Sequence, residues 1–120
     1  MGLKIGSPRE IYAGEARVAM TPDSAMQLQK LGYDCVIESG AGKGAGLSDD
    51  AYRAAGVTVV ETAAALYETA DIIAKVRPPE VSEVDRLSPG KTLISFFYPA
   101  QNTALLEQAK GKGATVVAMD

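Results

Sequence analysis

Apolar residues recur along the chain in short runs of β-branched and aliphatic side chains, near 3–7, 33–38, 57–60, 71–76, 91–97 and 114–118. Between them lie alanine-rich or amphipathic segments near 22–31, 49–55, 62–69, 80–87 and 102–110. Short strands alternating with helices of this kind predict a doubly wound, mainly parallel sheet in three layers, α/β/α. Several boundaries are explicit. Thr21 can cap a helix whose first position is Pro22, and Gly32 stops it after Leu28 and Leu31. Ser88-Pro89-Gly90 reads as a turn, and no repeat, low-complexity tract or linker interrupts the pattern. Residues 1–120 are therefore expected to fold as one domain.

Composition narrows the chemistry. Net charge is −3 without clustering of either sign, so nucleic acid and anionic membranes are not expected partners. No apolar run approaches 18 residues, and Lys4, Arg9 and Glu10 interrupt any signal-peptide pattern, so a soluble, cytoplasmic chain is expected. The single cysteine, Cys35, sits in an apolar strand and reads as a small core residue. Histidine is absent. The common zinc ligand sets and histidine-based triads therefore cannot be assembled from this chain alone.

One stretch, Ser39-Gly40-Ala41-Gly42-Lys43-Gly44-Ala45-Gly46, has the form of the phosphate loop of Rossmann-like dinucleotide folds. Gly40, Gly42 and Ala45 satisfy G-x-G-x-x-G/A, a strand precedes them, and Glu61 follows at about the distance of a ribose-binding acid. The fingerprint works by aiming a helix N-terminus at phosphate. Here Ser48 is the better cap, and Asp49 and Asp50 occupy the positive end of a helix about two turns long. A pyrophosphate brought there would meet two carboxylates, so the stretch reads as a structural connection.

In a parallel sheet, ligands bind beyond the carboxyl ends of the strands, which directs attention to three places. The connection after the first strand, from Pro8 to Ala19, exceeds the usual length for such a link and carries Glu10, Glu15 and Arg17. Arg17 either serves a site or pairs with Glu10 or Glu15 at the surface. Lys75 lies near the end of an otherwise apolar strand, where a lysine needs either a partner or an opening, and it is expected to point into a cleft or else to snorkel to water. In Phe96-Phe97-Tyr98-Pro99-Ala100-Gln101-Asn102, Pro99 ends the fifth strand and Asn102 can cap the next helix. Tyr98 and Gln101 suit a planar, hydrogen-bonding ligand, although Tyr98 could equally pack on the following helix.

These residues carry a resemblance. The segments K-I-G-S-P-R-E, G-E-A-R-V-A-M-T-P-D, L-G-Y-D-C-V-I-E-S-G-A-G, K-V-R-P-P and F-F-Y-P-A-Q-N occur in order along the chain. Together they resemble the N-terminal domain shared by alanine dehydrogenases and pyridine nucleotide transhydrogenases. The resemblance spans the whole chain and implies that the dinucleotide fingerprint lies in a second domain, with the glycine-rich stretch purely structural. In that family, alanine dehydrogenases use an arginine in E-x-R-V-A, a lysine in K-V-x-x-P and a histidine where F-F-Y ends here. Arg17 and Lys75 match the first two, whereas Tyr98 stands in the histidine position and is followed by P-A-Q-N, which looks like the transhydrogenase branch.

Physical chemistry favours the same branch. Oxidising an amine or alcohol moves a proton with the hydride and needs a general base. Passing hydride between two nicotinamides needs only that the rings be positioned. The resemblance thus implies part of the NAD(H)-binding alpha subunit of a proton-translocating NAD(P) transhydrogenase, peripheral to a membrane-embedded complex on its cytoplasmic or matrix-type face. It implies NAD(H) as cofactor of the complete subunit and, as partners, the remaining domain of the alpha subunit, the NADP(H)-binding beta subunit that exchanges hydride with it, and a second copy in a homodimer. Arg17, Lys75, Tyr98, Gln101 and Asn102 are the expected wall of the NAD cleft, with no catalytic residue in this chain alone. A sheet ending on its last strand also looks cut, so the chain is expected to be a fragment, inactive and without tightly bound cofactor by itself. Two other readings stand beside this one: the N-terminal domain of alanine dehydrogenase or a related amino-acid dehydrogenase, and a non-catalytic scaffold forming a cleft wall or dimer contact.

Overall fold

The computed structural model describes residues 3–96, 98 and 101–119. Strands β1 (Lys4–Ser7), β2 (Asp34–Glu38), β3 (Thr58–Val60), β4 (Ile72–Ala74), β5 (Thr92–Ser95) and β6 (Thr115–Ala118) form one sheet in the order β3-β2-β1-β4-β5-β6. All five pairings are parallel. Helices α1 (Pro22–Lys30), α2 (Asp49–Ala54), α3 (Ala63–Thr69), α4 (Val81–Val84) and α5 (Thr103–Gly111) make the connections. This is the expected Rossmann-like α/β architecture. Chain direction across the sheet reverses between β1 and β4, and right-handed crossovers then place α1 and α2 on one face and α4 and α5 on the other.

Two cores result. On one face Leu66, Tyr67 and Ala70 from the α3 region, Val84, Leu87 and Ala109 pack on Val36, Ile73 and Leu93. On the other, Ala25 of α1 and Tyr52 of α2 pack with Met20, Cys35, Ile37 and Val57. The alternation Cys35, Val36, Ile37 divides one strand between the two cores, as a strand buried on both faces must. Cys35 is a core residue as expected; its buried thiol donates weakly to the Ala25 carbonyl at 3.7 Å, and burial pushes its pKa up. At the centre of the sheet, Gly6 lets α3 approach closely, since a Cβ there would lie 2.7 Å from that of Ala70.

Local sequence sets the boundaries. The Thr21 hydroxyl accepts from the Ser24 amide at 3.1 Å while the Ser24 hydroxyl accepts from the Thr21 amide at 2.8 Å, ahead of Pro22. Three elements are shorter than the sequence suggests by more than one residue. Strand β4 stops at Ala74, not residue 76, because the Val76 and Arg77 amides donate to the Glu10 carboxylate instead of to a neighbouring strand. Helix α4 stops at Val84, not residue 87, because the Arg86 and Leu87 amides bond three residues back in tightening turns before Ser88-Pro89-Gly90. Strand β5 stops at Ser95, with Phe96 already outside it, and the ends expected at Phe97 and Pro99 lie outside the described residues.

The glycine-rich stretch is a packed connection. Ser48 caps α2 by accepting from the Ala51 amide at 3.2 Å. The Asp49 carboxylate turns back to accept from the Gly40 amide at 2.9 Å and from the Ser39 hydroxyl at 2.6 Å, which hold it below its ordinary pKa. A carboxylate thus occupies the position a phosphate would need. Replacing Gly42 with alanine would bring a Cβ to 2.8 Å from both the Leu47 carbonyl oxygen and the Tyr52 ring. Gly42→Ala is expected to lower folding stability by about 1–3 kcal/mol, as overpacking does, measurable by chemical denaturation.

Candidate functional site

The connection after β1 is long because it is a clamp. It crosses the carboxyl edge of the sheet and sends successive carboxylates and amides to the loops after the neighbouring strands. The Arg9 amide donates to Glu38 Oε1, at the end of β2, at 2.9 Å. Glu10 reaches across to the segment after β4, accepting from the Val76 amide at 2.9 Å and the Arg77 amide at 3.1 Å. Glu15 accepts from Arg77 Nε at 2.8 Å and, on the other side, from Arg17.

Lys75 lies at the hub. Its side chain is 1% exposed, and Nζ sits 3.0 Å from Glu10 Oε1 and 3.1 Å from Glu83 Oε2. The sequence admits a lysine opening on a cleft or snorkelling to water; the structure shows neither. The ammonium has left solvent entirely, which is tolerable only because two carboxylates receive it. Both are fixed in turn. Glu83 Oε1 accepts from the Glu80 amide at 2.9 Å at the start of α4, and the buried Tyr67 hydroxyl faces Glu83 Oε2 at 3.4 Å. Burial, and then the Glu83 charge, drives the Tyr67 phenol pKa far up, so it remains a neutral donor.

Arg17 stands at the outer end of the clamp with 64% of its side chain exposed. Its backbone amide, Nε and Nη2 all bond the Glu15 carboxylate, at 2.8, 2.9 and 2.8 Å. These bonds, with that from Arg77, hold Glu15 far below the usual carboxylate range and raise Arg17. The geometry is that of an arginine ordering its own loop, its outer face turned to solvent.

Beside this network lies an open cavity of about 500 Å³. Tyr12, Arg77, Pro78, Pro79, Glu80, Val81, Tyr98, Gln101, Asn102 and Leu105 line it. The Arg77 guanidinium lies 4.3 Å from the centroid of the Tyr12 ring while Nε holds Glu15, so one cation joins the clamp to the cavity wall. Tyr98 has φ +48, a left-handed conformation rare for a bulky residue, and is 42% exposed. Its carbonyl accepts from the Gln101 amide at 2.9 Å and from Asn102 Nδ2 at 3.3 Å. Asn102 stands at the N-cap of α5, but its side chain makes no capping bond to the helix and turns back to Tyr98, contrary to the capping role that the sequence suggests.

The expected site residues therefore divide. Tyr98, Gln101 and Asn102 share the cavity; Lys75 is buried in the clamp behind it, and Arg17 is at the clamp's exposed end. All follow strands that end on the same edge. Sequence reasoning missed Glu10 as the partner of Lys75, and missed Glu83, Arg77 and Tyr12. The signal available was an apolar strand ending in lysine, which demands a carboxylate without saying which. Among the described residues no cluster could hold a metal ion.

An all-parallel, doubly wound sheet with polar clusters and a cavity at its carboxyl edge defines the Rossmann-like α/β class. The chain belongs to the family described as alanine dehydrogenase/PNT, N-terminal domain, which matches residues 6–120. It is 70% identical over 118 residues to the NAD(P) transhydrogenase subunit alpha of Cereibacter sphaeroides, covering 98% of this chain and 23% of that one. It is 39% identical over 118 residues to the alanine dehydrogenase of Halomonas elongata, covering 98% and 32%. A solved structure of transhydrogenase from Sinorhizobium meliloti matches with a TM-score of 0.91 at 35% identity, covering 97% of this chain and 34% of that one. The chain thus spans about a quarter to a third of the length of these relatives.

Two outcomes follow from the clamp. Lys75→Met leaves Glu10 and Glu83 buried without their cation and is expected to cost about 3–5 kcal/mol, whereas combining it with Glu10→Gln and Glu83→Gln should recover a large part of that loss; denaturant titration of the series reads both. Because folding depresses the Glu15 pKa below its ordinary 4.5, its contribution to stability is present above that pH and fades as pH falls toward the folded value. Glu15→Gln should therefore flatten the acid limb of the Tm–pH curve, between about pH 4.5 and 3.

Proposed function

We propose that this chain is the N-terminal domain of the NAD(H)-binding alpha subunit of a proton-translocating NAD(P) transhydrogenase, in which it forms one wall of the NAD cleft. The observation that carries this reading is the 70% identity to a transhydrogenase alpha subunit across nearly the whole chain. The chemistry of the edge supports it. Residues 1–120 contain no histidine, and the position where the amino-acid dehydrogenase pattern has one is Tyr98. Hydride exchange between NAD(H) and NADP(H) leaves no proton to remove from the reacting carbons, so a wall can serve by positioning. NADP(H) would be bound by a separate beta subunit, the complete assembly would include two copies of the alpha subunit, and this domain would lie on the cytoplasmic or matrix-type side of the membrane portion. No helix among the described residues is long and apolar enough to cross a membrane.

In this reading Tyr98, Gln101 and Asn102 face the nicotinamide end of NAD(H), Lys75 holds the wall from behind, and Arg17 orders its outer loop. The scaffold reading keeps a specific support: both cations that the family pattern suggests for a ligand are already engaged by carboxylates. The two readings agree that this domain contributes shape rather than an acid–base group.

The test uses the complete subunit reconstituted with its NADP(H)-binding partner. Tyr98→Ala is expected to slow hydride transfer by roughly tenfold or more, the scale of a lost positioning contact, while the subunit folds normally. Alanine with NAD+ should give no turnover. Unchanged transfer in Tyr98→Ala would remove Tyr98 from the site, and robust alanine oxidation would establish the dehydrogenase instead. The 120-residue chain alone should show no activity in either assay and no submillimolar affinity for NADH by titration.

A further inference from the structure

Among the described residues that line the cavity, Arg77 alone is basic and Glu80 alone is acidic. The direction of Arg77 is set from several sides. Its backbone amide donates to Glu10 Oε1 at 3.1 Å, Nε donates to Glu15 Oε1 at 2.8 Å, and the guanidinium lies 4.3 Å from the centroid of the Tyr12 ring. Pro78 and Pro79 follow it and stiffen the backbone on that side. Glu15 cannot swing with the arginine, because its side chain is 3% exposed and is held also by the Arg17 amide, Nε and Nη2.

The inner nitrogen of the guanidinium is therefore spent on the clamp, while its outer edge is not. No acceptor among the described residues takes a bond from Arg77 Nη1 or Nη2, and 31% of the side chain remains exposed. An arginine meets its acceptors with a planar pair of such N–H groups, and this pair is already oriented by the stack on Tyr12 and the bond to Glu15. A ligand received there need not pay again for ordering the side chain.

Charge decides the class of acceptor. Glu15 lies 2.8 Å from Arg77 Nε and offsets much of its charge, and Glu80 in the same wall would repel a phosphate or carboxylate. A neutral, planar acceptor meets neither objection. A carboxamide oxygen offers two lone pairs in one plane, and an aromatic ring bearing it would find Tyr98 and the prolines in the same wall to lie against.

We infer that Arg77 is a positioning residue for the nicotinamide, its Nη1 and Nη2 edge donating to the carboxamide oxygen, with Glu15 holding the guanidinium in place. The inference rests on the proposed function, which supplies NAD(H) as the ligand. The carboxamide sits beside the ring carbon that exchanges hydride, so fixing its oxygen fixes the rotation of the ring and the face turned to the hydride partner.

The experiment titrates the complete subunit, unaltered and as Arg77→Met, with three ligands. These are NADH, its thionicotinamide analogue, in which sulfur replaces the carboxamide oxygen, and ADP-ribose, which keeps the diphosphate and has no nicotinamide. Arg77→Met is expected to weaken NADH by about tenfold or more, the scale of a hydrogen bond from a charged donor, to leave ADP-ribose within about twofold, and to remove most of the preference for oxygen over sulfur that the unaltered subunit shows. Unchanged NADH affinity overturns the inference. Equal weakening of ADP-ribose also overturns it, by placing the fork on the diphosphate, and an oxygen preference that survives in the variant overturns it by leaving Arg77 a structural role alone. Should the methionine variant not fold, Arg77→Lys replaces it: one ammonium can hold Glu15 but leaves no second nitrogen for the ligand. The same preference should then be lost, and its retention refutes the inference. An unaltered subunit that binds no NADH removes the proposed function and this inference together, whereas NADH binding indifferent to Arg77 removes this inference only.

Discussion

The carboxyl edge of the domain depends on one buried ammonium group. Lys75 lies between Glu10 and Glu83 with all three side chains nearly excluded from water. Taken singly, none of these charges could be buried at tolerable cost; together they make a unit whose members cannot move independently. Because Glu10 belongs to the connection after β1 and Glu83 to α4, the pair ties together segments that are far apart in sequence. Glu10 also accepts two backbone amides after β4, so the same carboxylate ends the strand and sets the direction of Arg77 and the two prolines behind it.

This arrangement changes the meaning of charge at the site. An arginine and a lysine at strand ends suggest an anion-binding pocket, yet here their partners are already supplied from the clamp. What remains open beside them is a cavity bounded by two tyrosines, prolines, amides, Val81, Leu105, the Arg77 guanidinium and the Glu80 carboxylate. Such a surface can orient a planar ring through contact and hydrogen bonds. Rigid support behind an aromatic rim is what a positioning wall requires. The left-handed Tyr98 backbone, held by Gln101 and Asn102, fits that use, because a bulky residue keeps such a conformation only where its surroundings impose it.

The unequal cover of the sheet follows from the same topology that creates the edge. Reversing direction between β1 and β4 opens the crevice at the carboxyl ends where ligands of such folds collect. The reversal also moves the later helices to the opposite face and leaves half of the first face bare. Cleft and gap are two consequences of one strand order.

How much of this was legible in the residues varies by level. Strand and helix positions, the parallel sheet, the Thr21 and Ser48 caps and the structural character of the glycine stretch all follow from periodicity and short-range hydrogen bonding, which adjacent residues decide among themselves. Five motifs in order sufficed for the family. The partner of Lys75 was not legible, because Glu10 is 65 positions away and a buried charge states only that it needs an opposite one. Nor was the early end of β4, since a carboxylate from a distant loop competes there with the sheet for two amides. The sequence alone determined which elements form and in what class of sheet; only the tertiary structure decided which charges are spent on one another and which face is left uncovered, because both are settled by contacts between segments that the chain's local pattern does not relate.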